Sequence, residues 1–168
     1  MDHVLHSERL VLEPVTLGDR AALLAHWEAP DVRRFLFDGE MLSAAEITEA
    51  VEDSERDFDR SGYGLWLVRL MGRTDLVGTT GLRLLDDIGL EIFYSLEPGW
   101  WGQGYATEAA RAVLDYALGP LGLPEVLAEV DEGNTASVAV IERLGMTPFD
   151  GVPGRFGPMT RYRKTKNR

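Results

Sequence analysis

The sequence has no cysteine among its 168 residues. That excludes disulfides, thiolate metal sites and a cysteine nucleophile, so any thiol in the chemistry must arrive with a second molecule. It also lacks an apolar run long enough to span a membrane, and the opening stretch MDHVLHSERL has neither the basic start nor the apolar centre of a secretory leader. The expectation is a cytoplasmic protein with no membrane partner. Positive charge is scarce: the net charge is −11, and the one basic cluster is the tail over residues 161–168. Nucleic acid requires a basic footprint, so no nucleic-acid partner is expected, and the tail reads as a last strand with a frayed end. His3, His6 and His26 lack ligand spacing with one another or with carboxylates, so no metal is expected. No repeat, low-complexity tract or linker interrupts a chain that is 45% apolar and 27% charged, and residues 1–168 read as a single domain.

What is present centres on residues 89–118. Residues 90–96 are β-branched, aromatic or aliphatic apart from Glu91, which predicts a mostly buried strand carrying one costly carboxylate. After Pro98 comes Gly102-Gln103-Gly104. Ala106, Ala109, Ala110, Val113, Leu114, Ala117 and Leu118 then fall on one helical face, and Gly119-Pro120 stops the helix. A glycine turn that opens a helix offers free N–H groups and the positive end of the helix dipole to a phosphate; it is equally a tight connection that needs glycine only for its φ angles. Thr107 stands where a dinucleotide fingerprint needs Gly or Ala, and no Gly-Lys-Ser/Thr is present, so neither common nucleotide loop applies.

In chain order, residues 7–15 alternate as a half-exposed strand, with Leu10 and Leu12 facing one way and Val11 and Glu13 the other. A short helix follows over residues 16–27 on Leu17, Ala21, Leu24 and Trp27, and residues 31–39 are ambiguous. Ser43-Ala44-Ala45-Glu46 is a capping box that starts a helix burying Ile47, Ala50, Val51, Ser54 and Phe58. Residues 63–70, 76–85 and 89–96 form an antiparallel meander. A parallel strand over residues 126–130, a helix over about 135–144, and two strands around Gly151-Val152-Pro153-Gly154 complete the chain.

The motif Pro98-Gly99-Trp100-Trp101-Gly102-Gln103-Gly104-Tyr105-Ala106-Thr107-Glu108-Ala109 resembles the acetyl-CoA pyrophosphate loop of the GNAT acetyltransferase superfamily, in the form of its RimJ/RimL-like branch. Trp101 stands where the superfamily has Arg or Gln, a departure common in that branch. Ser7-Glu8-Arg9-Leu10, and the segment from Asp131 through Asn134-Thr135-Ala136-Ser137 to Arg143-Leu144-Gly145-Met146, extend the resemblance over essentially the whole chain. It implies the α/β GNAT fold: a mixed, mostly antiparallel sheet of about seven strands, splayed between the fourth and fifth (residues 89–96 and 126–130) and flanked by about four helices. It further implies acetyl-CoA as co-substrate. The backbone of Tyr94, Ser95 and Leu96 would pair with pantetheine amides. Trp101, Gly102, Gln103, Gly104, Tyr105, Ala106 and Thr107 would hold the pyrophosphate, Asn134 would contact the pantetheine arm, and Ser137 would face the sulfur. Asn134 is also a good helix N-cap in its own right.

Acetyl transfer to an amine needs a base, a carbonyl polariser and a proton for the leaving sulfur. Glu91 is the candidate base, because desolvation in an apolar strand raises a carboxyl pKa; the competing reading has it paired with an Arg or turned to solvent. The tyrosine that serves many GNAT enzymes as acid falls at Ile141 here, and the resemblance then gives that task to Ser137. Without a cysteine or a Gly-x-Ser-x-Gly elbow, direct attack in a ternary complex is expected rather than an acyl-enzyme. The acceptor that the resemblance implies is a primary amine, either a small molecule or a protein N-terminus. Residues 28–41, with Asp31, Asp38 and Glu40, would shape its pocket and suit a cation, and Trp27 is the one tryptophan of four that could belong to it. A non-catalytic acyl-CoA-binding module is the alternative, and the chain is read as a monomer or a homodimer formed through its C-terminal strands.

Overall fold

The structure, a computed structural model, describes residues 2–33 and 41–166. Among the described residues it has eight strands and five α-helices. β1 (Leu5–His6) and β2 (Leu10–Pro14) precede α1 (Arg20–Glu28), the short α2 (Pro30–Arg33) and α3 (Ala44–Ser61). The meander β3 (Leu65–Leu70), β4 (Leu76–Leu85) and β5 (Gly89–Leu96) leads into α4 (Tyr105–Leu118), β6 (Glu125–Asp131) and α5 (Thr135–Arg143), and the hairpin β7 (Thr147–Gly154), β8 (Gly157–Thr165) ends the chain. The strands form one sheet in the order β1-β2-β3-β4-β5-β6-β8-β7, in which β5 and β6 are the one parallel pair. The strand beyond the expected seven is the two-residue β1, too short to leave a sequence pattern; α2, with four residues, is the fifth helix.

The two faces of the sheet are buried by different helices. Leu10, Leu12, Trp66, Val68 and Ile92 pack with α4 and α5, whereas Leu65 and Leu67 pack with α1 and α3. β3 therefore opens on four consecutive buried apolar residues, Leu65 to Val68, because both of its faces are covered there. β2 keeps the alternation expected of it, with Leu10 and Leu12 buried and Glu13 exposed.

Two local readings are corrected. The first helix begins at Arg20 rather than at residue 16, because Thr16 and Asp19 form a capping box around a 3₁₀ turn, with Thr16 N–H donating to Asp19 Oδ2 at 2.8 Å. The buried set is consequently Leu23, His26 and Trp27, while Leu17 and Ala21 are exposed. At the other end, Gly151 to Gly154 do not form the turn; β7 continues through them and the chain reverses at Arg155-Phe156. Proline and glycine are tolerated there because β7 is the sheet edge, where Pro153 removes no ladder hydrogen bond that a neighbouring strand would need. Pro148, Pro153 and the irregularity between Pro148 and Asp150 also blunt that edge. The basic tail continues as β8: Arg161 pairs with Glu129 and Asp86, and Lys164 donates to the Leu144 carbonyl.

Candidate active site

β5 and β6 meet at one register pair, Glu91 with Leu127, and separate beyond it. A parallel ladder that stops after one pair leaves strand-edge amides and carbonyls without partners, and the space between the strands becomes a cleft. Its volume is about 760 Å³, and β5, β6, α4 and α5 supply most of its wall.

Beyond the end of β5, Pro98–Trp100 form a 3₁₀ turn and the chain passes through Gly102 (φ 74°) and Gly104 (φ 83°) into α4. These left-handed values are the reason for glycine at both positions. Gly104 O accepts the first helical hydrogen bond, from Glu108 N–H, so the N–H groups of Tyr105, Ala106 and Thr107 are the unpaired ones of the first turn. Thr107 Oγ1 is buried with no hydrogen-bond partner and lies among the residues lining the cleft. An orphaned hydroxyl beside three free N–H groups at a helix N-terminus fits an anion.

Glu91 lies at the pinned end of the cleft and is 7% exposed. Burial raises its pKa, and the Arg83 guanidinium, donating from Nε to Oε1 at 2.8 Å, opposes that shift without cancelling it; Glu129 and Asp86 push it up further. The expected desolvation and the competing arginine pair thus occur together. Arg83 also lies 4.6 Å from the centroid of the Phe93 ring.

Across the cleft, Asn134 caps α5 by accepting from Ser137 N–H at 3.2 Å. Ser137 Oγ lies 2.6 Å from the Tyr94 hydroxyl, which also donates to the Ser137 carbonyl at 3.3 Å. Burial raises the Tyr94 pKa to about 12, although the Ser137 contact works against it. Ile141 lines the cleft and is fully buried, so that position carries no hydroxyl.

The cleft brings together Glu91, Tyr94, Ser95, Leu96, Trp101, Gly102, Gly104, Tyr105, Ala106, Thr107, Asn134 and Ser137. It omits Gln103, whose carbonyl accepts from Arg9 and whose side chain turns back to Gly99 O. One side of the Leu96 carbonyl is already occupied by the Trp101 indole N–H at 2.9 Å. Trp27 is a core residue bonded to Thr79 Oγ1 and does not line the cleft. Asp31 does line it, while Asp38 and Glu40 lie outside the described residues.

The sequence reading missed three groups. Arg83 was legible in principle, because a turn between Leu85 and Gly89 sets residue 83 opposite residue 91. The Tyr94 hydroxyl and His26 left no such signal. His26 is fully buried between Glu97 (3.0 Å) and Ser95 Oγ (2.9 Å), and Ser95 in turn meets Thr79 Oγ1 at 2.8 Å.

A family model described as an acetyltransferase (GNAT) domain matches residues 9–147. The uncharacterized N-acetyltransferase p20 of Bacillus licheniformis is 26% identical over 98% of this chain and 89% of its own length. Among solved structures, the ribosomal L7/L12 α-N-protein acetyltransferase RimL, in complex with coenzyme A, superposes with a TM-score of 0.81 at 16% identity, covering 96% of this chain and 97% of its own. A spermidine N-acetyltransferase from Vibrio cholerae, bound to CoA and spermine, gives 0.80 at 19% identity over 95% and 97%.

Proposed function

The chain belongs to the GNAT acetyltransferase family, and on that premise we propose that it is an N-acetyltransferase moving an acetyl group from acetyl-CoA to a primary amine by direct attack in a ternary complex. The observation that carries this reading is a single cleft holding the orphaned Thr107 hydroxyl among free helix N–H groups at one end and the buried Glu91 carboxylate at the other. Acetyl-CoA supplies an activated thioester and a thiol leaving group. The N–H groups of Tyr105, Ala106 and Thr107 hold the pyrophosphate, and the open edge of β5 around Tyr94 and Ser95 pairs with the amides of the pantetheine arm.

Glu91 takes the proton from the acceptor ammonium, directly or through one water, because burial makes its carboxylate a stronger base than an exposed one. The freed nitrogen lone pair bonds the acyl carbon as the carbon–sulfur bond breaks. Ser137 Oγ hydrogen-bonds the departing sulfur. Tyr94, held protonated by its high pKa, meets Ser137 Oγ at 2.6 Å and so fixes where the serine hydroxyl stands. The nitrogen, cationic once it has bonded the acyl carbon, loses its second proton, which passes through this hydroxyl or a water to the thiolate, so that the amide and the free thiol leave and the one proton on Glu91 returns to solvent.

RimL acts on a protein α-amine, which supports the RimJ/RimL-like branch and a protein N-terminus as one acceptor class; a small amine is the other. We infer a cytoplasmic protein that draws on acetyl-CoA there. The buried Ile141 favours the second reading, a binding module without turnover, enough to design the test around it.

That test is thermal denaturation with CoA and acetyl-CoA, run beside thiol release over a panel of amines and N-terminal peptides. Ligand that binds the native state raises the melting temperature. A shift with release on one acceptor class, abolished in Glu91→Gln while the shift persists, is the expected result. A shift without release on any acceptor leaves the binding module, and no shift removes the coenzyme A reading.

A further inference from the structure

Ser7-Glu8-Arg9-Leu10 is the part of the sequence pattern that the cleft does not use, yet it reaches the glycine turn from behind. Arg9 Nε donates to Glu108 Oε1 at 2.7 Å, and Arg9 backbone N–H donates to Glu108 Oε2 at 2.9 Å. Ser7 Oγ donates to the same Oε2, so one carboxylate in the first turn of α4 takes three donors from the turn between β1 and β2. Arg9 Nη1 continues to the Gln103 carbonyl at 3.1 Å, and its guanidinium lies 4.3 Å from the centroid of the Tyr105 ring. Burial pushes the Glu108 carboxyl up, but the hydrogen bonds from Ser7 and Arg9 outweigh it and the net shift is downward.

We propose that Arg9 and Glu108 are positioning residues that clamp the glycine turn in the shape that takes the pyrophosphate of coenzyme A, an inference that rests on the reading of that turn given above. Two physical effects support it. A trans peptide is planar, so fixing the Gln103 oxygen against Arg9 turns the Gly104 N–H to the opposite side. Gly104 lines the cleft, whereas Gln103 does not. The clamp therefore sets which groups of the turn face the ligand, without touching the ligand itself.

The second effect is electrostatic. Glu108 suits the positive end of α4, but a carboxylate in that turn also repels a diphosphate bound at the same helix end. Arg9 neutralises it. Loss of Arg9 alone then leaves an uncompensated negative charge beside the anion site, whereas loss of both charges does not.

The experiment compares acetyl-CoA with acetyl-pantetheine, which lacks the pyrophosphate, in the parent protein and in Arg9→Met, Glu108→Gln and the double variant. Each protein's melting temperature is read first. The expected result for Arg9→Met is a KM for acetyl-CoA about tenfold higher, the size of one charge-assisted hydrogen bond, with kcat within about twofold. Its kcat/KM on acetyl-pantetheine equals that of the parent. The double variant recovers part of the acetyl-CoA loss. Equal losses on both thioesters would mean that Arg9 only stabilises the fold, and an unchanged KM would remove the clamp. If Arg9→Met does not fold, Arg9→Lys carries the test, because it keeps the charge but not the planar fork that holds Glu108 and the Gln103 carbonyl together: a selective rise in the acetyl-CoA KM supports the clamp and its absence overturns it. A parent protein that neither binds CoA nor releases thiol would instead defeat the transferase reading, and the clamp with it.

Discussion

Tyr94 on β5 and Ser137 on α5 join hydroxyl to hydroxyl across the cleft at 2.6 Å. Both residues line the cleft, so the contact ties strand to helix there and orients the serine. A tyrosine with a pKa near 12 is a poor proton donor to a thiolate and a good fixed donor to a neighbouring oxygen. Tyr94→Phe should lower kcat about tenfold, one well-placed hydrogen bond in the transition state, with KM for acetyl-CoA within about twofold. In a Ser137→Ala background the same change should add little. A double-mutant cycle reads this, and additive losses would mean that the two hydroxyls act separately.

Glu91 carries the pH dependence. Its carboxyl is raised by burial and lowered, by less, by Arg83, so the acid limb of kcat/KM should lie above the ordinary carboxylate range. Arg83→Met removes the lowering contribution and should move that limb to still higher pH; a downward move would contradict the assignment. Stability follows the same sign. A carboxyl with a raised folded pKa favours the folded state at low pH and loses that contribution as pH rises through the folded value. The melting temperature of Glu91→Gln relative to the parent should therefore increase with pH across that range.

The path from sequence to site was uneven for identifiable reasons. The strand, glycine turn and helix over residues 89–118 were readable because φ 83° at Gly104 selects glycine and the apolar run around Glu91 marks a strand, although only Glu91 and Ile92 of β5 are buried and the rest of it is half-buried along the open cleft rather than mostly buried as expected. Glu91 drew notice because it broke that run. His26 broke no pattern, since one histidine near a tryptophan on a short helix resembles any surface residue until α1 packs its face against β4 and β5. The bond between Arg9 and Glu108 spans 99 positions, and no local period encodes it. The C-terminal turn was misplaced because glycine and proline mark both turns and blunted edge strands.

Gly104→Ala tests the turn itself. A Cβ in the left-handed region costs about 1–2 kcal/mol, and here it would also lie 3.4 Å from Arg9 Nη2. The helix start should relax toward ordinary φ and turn its free N–H groups away from one another. CoA affinity should fall about tenfold, while far-ultraviolet circular dichroism stays that of the parent. Isothermal titration with CoA measures it, and an unchanged affinity would show that the turn does not hold the pyrophosphate.

His26 tests what holds the cleft's first wall in place. The chain from Glu97 through His26, Ser95 and Thr79 to Trp27 links α1 to β4 and β5 entirely by side-chain hydrogen bonds. Replacing His26 by Phe keeps most of the volume but leaves Ser95 with Thr79 alone and Glu97, which is partly exposed, to water. The expected loss is about 1–2 kcal/mol, a buried hydrogen-bond partner removed without a cavity. His26→Ala adds the cavity and should lose about 3 kcal/mol. Urea denaturation separates the two, since equal losses would mean that the polar chain, and not packing, accounts for the whole effect. Because His26 touches Ser95 only through its side chain, the KM for acetyl-CoA in the folded Phe variant should stay within about twofold of the parent, a change worth less than half a kcal/mol.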